Sequence, residues 1–283
     1  MNITVAKNAG FCFGVKRAIE KAYDTLLNTD KKVYSIGPLI HNETVTNDLK
    51  DKGLIEINDE NAINALNGEL VIIRTHGTLK SIEDTLKVNN NEIIDLTCPF
   101  VSKIHSLVRE YSENGYKIVV IGDKDHPEVK GIVSRSKSDI YVVIDENDIK
   151  ALKIDKNEKI LVVFQTTTNA SNAQKLVDIL TNIFYNSKIV NTICNATEKR
   201  QDEVKNLAKV SDVMLIIGSK SSSNTKKLFE IAKEYCNNSY LLSCVSDTKK
   251  ISIDKDSKIG VSAGASTPEY LIEEIINNVR NEF

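Results

Sequence analysis

Three of the five cysteines share one kind of position, at which a short apolar strand gives way to a helix. They are Cys12 in FCFG, Cys98 in TCPF and Cys194 in ICNA. They lie 86 and 96 residues apart, so only the fold can bring them together. Thiolates that converge on one point repel each other unless a cation takes up their charge, and that is the chemistry of a metal site.

The pattern favours an iron–sulfur cluster over a zinc ion. Structural zinc sites use four protein ligands, commonly in CxxC pairs, and the sequence contains no such pair. A cluster held by only three cysteines leaves one iron open as a Lewis acid. A lone cysteine at a strand end is more often a small buried apolar residue. Cys236 and Cys244 have no counterpart in the repeat, and we expect them to be core or partly exposed thiols. Phe11 and Phe13 are expected to shield the Cys12 site from solvent.

The three cysteines belong to an internal repeat. A strand that ends in Ile-Gly follows each of them after 24 or 25 residues. Four residues beyond the glycines Gly37, Gly122 and Gly218 stand the polar side chains His41, His126 and Ser222. A second polar loop in each third contributes His76, Thr166 and Ser266. Ligands bind at the carboxyl ends of parallel strands, so the repeat predicts one site built from these loops.

These loops have the composition of an anion site. Three of the four histidines fall in them, whereas His105 falls inside a predicted helix, where a structural role is expected. Imidazoles, hydroxyls and helix N-terminal amides suit a phosphate or diphosphate. The candidate ligands are His41, His76, His126, Ser222, Ser223, Asn224 and Ser266. The run SKSSSN is equally consistent with a plain helix cap, and the absence of GxGxxG and Walker A motifs disfavours a nucleotide.

Glu128, in DHPEVKG, is the acid–base candidate nearest to these loops. It stands two residues after His126, in the first turn of a predicted helix. A carboxyl there is either an ordinary helix-start residue or, beside a metal-bound hydroxyl, a proton donor. Thr166, in FQTTTN, is a candidate to relay that proton or to orient water.

Short β-branched runs alternate with longer amphipathic segments along the chain. The runs LVIIR, KIVVIG, KILVVF, KIVNTI and VMLIIG are among the predicted strands. This alternation predicts the α/β class, with parallel sheets covered by helices on both faces. We expect three similar modules, 1–97, 98–193 and 194–283, around a pseudo-threefold axis with the cluster at its centre. The N-terminal strand is free to pair outside the first module.

Composition excludes several classes of protein. The 283 residues carry 37 basic and 39 acidic side chains, so the charge does not indicate a nucleic-acid-binding surface. No apolar run approaches the roughly 20 residues of a membrane span, and the N-terminus lacks a signal-peptide pattern, so a cytoplasmic protein is expected. The odd number of cysteines argues against a disulfide framework.

The chain resembles the 4-hydroxy-3-methylbut-2-enyl diphosphate reductase (LytB) family from Cys12 to about Pro268. The resemblance is carried, in family order, by FCFGVKRA, GPLIHN, THG, LTCPFV, GDKDHPEVKG, QTT, TICNAT, GSKSSSN and SAGAS. It implies three similar α/β domains around one [4Fe–4S] cluster with three cysteine ligands, Cys12, Cys98 and Cys194. It also implies that the seven candidate ligands bind a substrate diphosphate, that Glu128 donates a proton, and that Thr166, or its neighbour Thr167, is the relay residue.

The reaction implied by the resemblance is a reductive dehydroxylation, the last step of the non-mevalonate isoprenoid pathway. The substrate hydroxyl would bind the open iron, and two electrons and protons would remove it as water. The products would be isopentenyl and dimethylallyl diphosphates. The family takes its electrons from ferredoxin or flavodoxin, and we expect a monomer or homodimer without nucleic-acid or membrane partners.

Two other hypotheses remain open at the level of the sequence. A hydro-lyase with a three-cysteine [4Fe–4S] cluster would dehydrate a small hydroxy acid without a reductant. A non-enzymatic phosphate-binding or iron-sensing module would not need Glu128.

Overall fold

A computed structural model describes residues 2–282. The chain begins with β1 (Asn2–Val5), α1 (Phe13–Leu27), β2 (Val33–Ile36), α2 (Glu43–Asp51), β3 (Leu54–Ile57), α3 (Glu60–Asn64), β4 (Leu70–Ile73), α4 (Lys80–Val88) and β5 (Glu92–Asp95). It continues with α5 (Pro99–Glu113), β6 (Lys117–Ile121), α6 (Pro127–Val133), β7 (Ile140–Val143), α7 (Glu146–Lys150), β8 (Lys159–Phe164), α8 (Ala170–Ile183) and β9 (Asn186–Ile189). It ends with α9 (Asn195–Ala208), β10 (Val213–Ile217), α10 (Ser223–Tyr235), β11 (Ser239–Leu242), a 3-10 helix (Val245–Lys250), β12 (Lys258–Ala263) and α11 (Glu269–Glu282).

The strands form three parallel sheets of four strands each, and all three have the same topology. The orders are β3-β2-β4-β5, β7-β6-β8-β9 and β11-β10-β12-β1. The third sheet takes its last strand from the start of the chain, because β1 pairs with β12 in parallel over Asn2↔Lys258 to Val5↔Val261. The predicted α/β class with three parallel-sheet modules is confirmed.

The central strands are buried on both faces, which explains their continuous apolar runs. In β6, Val119 and Ile121 pack into the core on one side of the sheet, whereas Ile118 and Val120 pack into the core on the other. The strand β10 alternates in the same way between two cores. Helices on both faces therefore hold the carboxyl ends of the central strands in a fixed layer.

Two strands differ from the sequence-based prediction. The run KIVNTI predicts a strand that extends toward Cys194, but β9 is the earlier segment NSKI, which pairs with β8 from Asn186 to Ile189. The strand β3, LIEI, was not predicted, because only Leu54 of this edge strand is buried and its apolar pattern is weak.

The chain divides into two compact units. The middle unit comprises 18–39 and 49–194 and holds the first two sheets. The C-terminal unit comprises Ile40–Asp48 together with the described residues before Ala18 and after Cys194, and it holds the third sheet. Among residues 2–282, no helix has the length and apolarity to cross a membrane.

Within the middle unit, Arg135 joins the segments after β4 and β6. Its guanidinium, only 8% exposed, donates to both carboxylate oxygens of Glu83 on α4 and, at 2.9 Å, to the backbone oxygen of Thr78. A bidentate pair of this kind holds the two side chains in one relative orientation and also adds to stability. Arg135 therefore links the segment after α6 to α4 and to the loop before it.

We predict that Arg135→Met lowers the free energy of unfolding by about 3 kcal/mol, because Glu83 is left buried without its partner. The double variant Glu83→Met/Arg135→Met should lose less than the single variant, since no uncompensated charge remains. Urea denaturation of both variants and of wild type tests this. Equal losses in the single and double variants would contradict it.

Candidate active site

The predicted site residues lie in loops at the carboxyl ends of the two inner strands of each sheet. These strands are β2 and β4, β6 and β8, and β10 and β12. In that order, the loops carry His41, His76, His126, Thr166, the run Ser222–Asn224, and Ser266. This is the edge at which parallel α/β sheets bind ligands.

The three repeated cysteines have one common backbone arrangement. Each stands directly before a helix, and each follows the edge strand that pairs with the third strand of its sheet. Their backbone N–H groups donate to the loop after that third strand: Cys12 to Ala265 O at 3.1 Å, Cys98 to Thr75 O at 2.9 Å, and Cys194 to Thr166 O at 3.0 Å. All three cysteines are half-buried. Helix N-termini stabilise thiolates, so this donor set fits an iron–sulfur cluster.

The other two cysteines differ, as their lack of repeat partners predicted. Cys236 is 6% exposed, packs in an apolar core, and lies 3.5 Å from Asp212 O. Cys244 is exposed, with its sulfur 3.1 Å from the Ser246 hydroxyl. The expectation that Phe13 shields Cys12 from solvent is wrong, because its side chain is 74% exposed.

Glu128 and Thr166 form a buried hydrogen-bonded pair. Thr166 donates from its backbone N to Glu128 Oε1 at 2.7 Å and from its hydroxyl to Oε2 at 2.8 Å. The Glu128 side chain is 2% exposed, and burial raises the pKa of its carboxyl, although the two hydrogen bonds from Thr166 oppose that rise. A carboxyl with a raised pKa keeps its proton to higher pH, which suits a general acid.

His126 is the N-cap of α6, and this role fixes its tautomer. Its Nδ1 accepts a hydrogen bond from Glu128 N at 3.1 Å. The acceptor nitrogen carries no proton, so the proton of the neutral ring is on Nε2. The ring of His76 packs edge-on against it, with 5.4 Å between the centroids. The middle unit thus places two imidazoles beside the Glu128–Thr166 pair.

His105 contrasts with these loop histidines. It lies half-buried in α5, and burial, together with the charge of Arg135, lowers its pKa to about 4. It packs against the backbone of Gly77, where an added Cβ would come within 2.8 Å of its ring. These contacts agree with the structural role expected for it.

The C-terminal unit places hydroxyl and amide groups at the start of α10. Ser222 caps this helix by accepting from Thr225 N at 3.3 Å, so its own hydroxyl hydrogen can be donated to a ligand. Ser223 is half-buried in the first turn. Asn224 is 5% exposed, yet both polar atoms of its amide lack a hydrogen-bond partner among the described residues. A buried amide without partners is costly, and a ligand with polar groups would satisfy it.

Ser266 and His41 are also brought together in the C-terminal unit. The Ser266 hydroxyl donates to the backbone oxygen of His41 at 3.1 Å. The spacing from glycine equates His41 with His126 and Ser222, but the N-cap of α2 is the next residue, Asn42, whose Oδ1 accepts from Val45 N at 3.1 Å. The first repeat therefore carries one more residue between its glycine and its cap. Sequence reasoning missed Asn42 because it assumed a constant offset.

Gly264 shows why small residues recur beside these loops. A Cβ added there would lie 2.1 Å from the Thr225 hydroxyl. Thr225 is fully buried, and its backbone N donates to the Ser222 cap. The glycine therefore lets the first turn of α10 sit close against the loop that carries Ser266.

Comparison with known proteins gives consistent matches over the whole chain. A family model described as LytB protein matches residues 3–280. The 4-hydroxy-3-methylbut-2-enyl diphosphate reductase of Campylobacter hominis is 44% identical over 280 residues, which cover 99% of this chain and 98% of that protein. The protein of the same name from Caldanaerobacter subterraneus subsp. tengcongensis is 41% identical over 282 residues, which cover 99% of this chain and 97% of the relative.

Solved structures agree with the sequence matches. One, of (E)-4-hydroxy-3-methyl-but-2-enyl diphosphate reductase, described as the terminal enzyme of the non-mevalonate pathway, aligns with a TM-score of 0.72 at 36% identity and 99% coverage of both chains. The E-1-hydroxy-2-methyl-but-2-enyl-4-diphosphate reductase of Plasmodium falciparum aligns with a TM-score of 0.92 at 31% identity, covering 99% of this chain and 88% of that one.

The capping role of His126 can be separated from its role as a ligand. We predict that His126→Asn keeps the free energy of unfolding within about 0.5 kcal/mol of wild type, since asparagine is a strong N-cap. His126→Ala should cost about 1 kcal/mol. Urea denaturation measures both, and nitrogen NMR of the wild-type ring should show an unprotonated Nδ1. Equal stability of the two variants, or a protonated Nδ1, would contradict the assignment.

The raised pKa of Glu128 predicts a pH-dependent contribution to stability. The folded chain holds this proton to higher pH than the unfolded chain, whose pKa is near 4.5. Glu128 therefore stabilises the fold below that value, and the contribution is lost as the pH rises through the raised folded pKa. The difference in free energy of unfolding between wild type and Glu128→Gln should fall with increasing pH. A constant difference from acid to neutral pH would contradict the prediction.

Proposed function

Because this chain belongs to the LytB family, we propose that its loops assemble the site at which 4-hydroxy-3-methylbut-2-enyl diphosphate is reduced. The resemblance seen in the motifs is confirmed, and the chain is an enzyme, the reductase of the non-mevalonate pathway. The substrate is a small-molecule diphosphate, and membership in the family implies an iron–sulfur cofactor. The assignment of roles to residues is our proposal.

The diphosphate is bound by His41, His76, His126, Ser222, Ser223, Asn224 and Ser266. The tautomer of His126 supports this, because its Nε2–H is a donor for a phosphate oxygen. Asn224 supports it as well, since its buried amide has no acceptor or donor among the described residues. His126, Ser222, Ser223 and Asn224 stand at helix starts, where a diphosphate is bound through directed hydrogen bonds and the helix dipole.

Cys12, Cys98 and Cys194 hold the cofactor, a [4Fe–4S] cluster with three cysteine ligands, one per chain. Their shared position before a helix and their shared backbone hydrogen bond support this choice over Cys236 and Cys244. When bound, such a cluster supplies electrons one at a time and an open iron that acts as a Lewis acid.

Glu128 delivers a proton to the leaving hydroxyl through Thr166. The reaction breaks the allylic C–O bond, consumes two electrons and two protons, and releases water. Protonation of the allyl fragment at either end gives isopentenyl or dimethylallyl diphosphate. The two hydrogen bonds between Thr166 and Glu128 are the observation that carries this assignment, because they hold the carboxyl in one orientation in a buried setting.

The electrons come from an external donor, for which we propose a ferredoxin or flavodoxin. Neither a flavin nor a nicotinamide motif is present in the sequence. A cytoplasmic location and a monomeric or homodimeric state stay predictions.

We predict that Glu128→Gln lowers kcat by about a hundredfold or more, the usual contribution of a general acid, while substrate affinity changes little. Thr166→Val should lower kcat by a comparable factor, because it removes the hydroxyl that relays the proton, although the backbone hydrogen bond of residue 166 still holds the carboxyl. Anaerobic turnover with a chemical reductant, together with substrate titration, measures both quantities. Glu113→Gln, on the exposed end of α5, is the matched control.

The outcomes separate the competing functions. Full turnover by Glu128→Gln would remove the acid role and favour a binding module. Turnover of a small hydroxy acid without reductant would favour the hydro-lyase. Strict dependence on reductant, with large loss in Glu128→Gln and none in Glu113→Gln, is the result expected of the reductase.

A further inference from the structure

The middle unit contains a cavity of about 220 Å³ beside the loops that carry His76 and His126. Its lining includes Gly37, Asn58, Arg74, Thr78, Asp125 and Lys130, and apolar side chains make up the rest. The two histidines are not part of its lining. Arg74 precedes His76 by two residues, and Asp125 directly precedes His126, so the cavity adjoins the proposed diphosphate site without belonging to it.

Arg74 is a half-buried cation without an acceptor. Its Nε is buried and has no hydrogen-bond partner, and its guanidinium forms no ion pair or hydrogen bond with any of the described residues. Burial lowers the pKa of Arg74, and the negative charge of Glu56 offsets part of this effect. An arginine remains charged in proteins, so Arg74 is a partly desolvated cation that Glu56 compensates only in part and without a direct ion pair.

Glu56, the carboxylate whose charge acts on Arg74, has other partners. It accepts from Asn58 at 2.8 Å and forms an ion pair with Lys50 at 3.0 Å. Burial alone would raise the pKa of Glu56, but these two partners and the charge of Arg74 bring it below its ordinary value. Glu56 therefore already balances Lys50, and Arg74 keeps its positive charge toward the cavity.

Arg135, in the same unit, is a buried arginine with a structural role, and its hydrogen bonds can be compared with those of Arg74. It has both oxygens of Glu83 and a backbone carbonyl as acceptors. The Nε atoms of both arginines are buried without a partner, so the two side chains differ only at their terminal nitrogens, for which Arg74 has no acceptor among the described residues. The difference indicates that Arg74 faces a ligand rather than a protein carboxylate.

Gly37 leaves space for the guanidinium of Arg74, because it has no side chain. A Cβ at this position would lie 2.6 Å from Arg74 Nη1, and the φ of +73° is one that other residues rarely adopt. Lys130, exposed on α6, gives the cavity a second cation, and the exposed Asp125 gives it one carboxylate. The lining therefore has a net positive charge, and the Arg74 guanidinium gives it a planar fork of donors.

We propose that this cavity is a second oxyanion site, which binds a phosphate or diphosphate group through the guanidinium of Arg74 and the ammonium of Lys130. The ligand is either a free inorganic ion or the diphosphate end of a second isoprenoid molecule. An anion bound here orders the segments on either side of His76 and His126, and so tunes the affinity of the neighbouring site. The proposal rests on the unpaired guanidinium and does not depend on the cluster or on turnover.

The first test is calorimetric titration of the cluster-loaded protein with inorganic diphosphate. Wild type should bind two ions per chain, and Arg74→Gln should bind one. Arg109→Gln, an equal change of charge on the exposed face of α5, is the matched control and should bind two. Lys130→Gln should weaken the second site at least tenfold without abolishing it. Equal stoichiometry and affinity in wild type and Arg74→Gln would overturn the proposal.

Thermal unfolding in the absence and presence of inorganic phosphate separates a binding role from a structural one. Because Arg74 has no partner to lose, Arg74→Gln should keep the Tm of wild type without phosphate and should gain less from added phosphate. A Tm well below wild type without phosphate, with an unchanged phosphate-dependent gain, would show that the arginine supports the fold and would contradict the proposal.

Calorimetric titration with isopentenyl diphosphate distinguishes an inorganic ion from an isoprenoid diphosphate as the ligand. An isoprenoid site should bind isopentenyl diphosphate more tightly than it binds inorganic diphosphate, and a site for inorganic ions should not.

Discussion

The arrangement depends on one repeated interaction, the hydrogen bond from a cysteine N–H to the loop after the third strand of a sheet. It occurs at Cys12, Cys98 and Cys194 with lengths of 3.1, 2.9 and 3.0 Å. The strand order explains the repetition, since each cysteine follows the edge strand that pairs with that third strand. The bond therefore couples each thiol to a polar loop, and at Cys194 it couples the thiol to Thr166, the same residue that holds Glu128. In the proposed assignment, cofactor ligand, relay and acid are therefore positioned by a few consecutive contacts.

The polar groups of the site also stabilise the helices on which they stand. His126 and Ser222 each accept a backbone N–H of the helix that follows, and this leaves Nε2–H and a hydroxyl hydrogen as donors. A residue that is held by its own helix loses little further freedom when it binds a ligand, so the site is preorganised. Glu128 is preorganised in the same way, because two hydrogen bonds from Thr166 fix the orientation of its carboxyl. Burial keeps this carboxyl protonated to higher pH. In the proposed assignment, the contacts that stabilise these helices therefore also position the groups that react.

Much of this could be predicted from the sequence because the chain repeats itself. The recurrence of cysteine, Ile-Gly and a polar loop identified the three modules, and the long apolar runs of β6, β8 and β10 identified buried parallel strands. Weakly patterned elements such as β3 were missed, and β9 was placed too late, because an edge strand buries too little apolar surface to set a clear pattern. Asn42 was missed because one inserted residue breaks the repeat offset. That Arg74 has no ion-pair partner among the described residues was missed because only the three-dimensional structure shows which carboxylates lie near it.

The central claim, that three repeated thiols hold an iron–sulfur cluster, is tested most directly by counting iron and sulfide. Protein purified without oxygen should contain about four of each per chain, and its electron-resonance spectrum should change on addition of the hydroxy-diphosphate. Cys236→Ser and Cys244→Ser should retain this content, whereas Cys98→Ser should lose it. Stoichiometric zinc, absence of metal after anaerobic reconstitution, or loss of iron in the Cys236 or Cys244 variant would contradict the account.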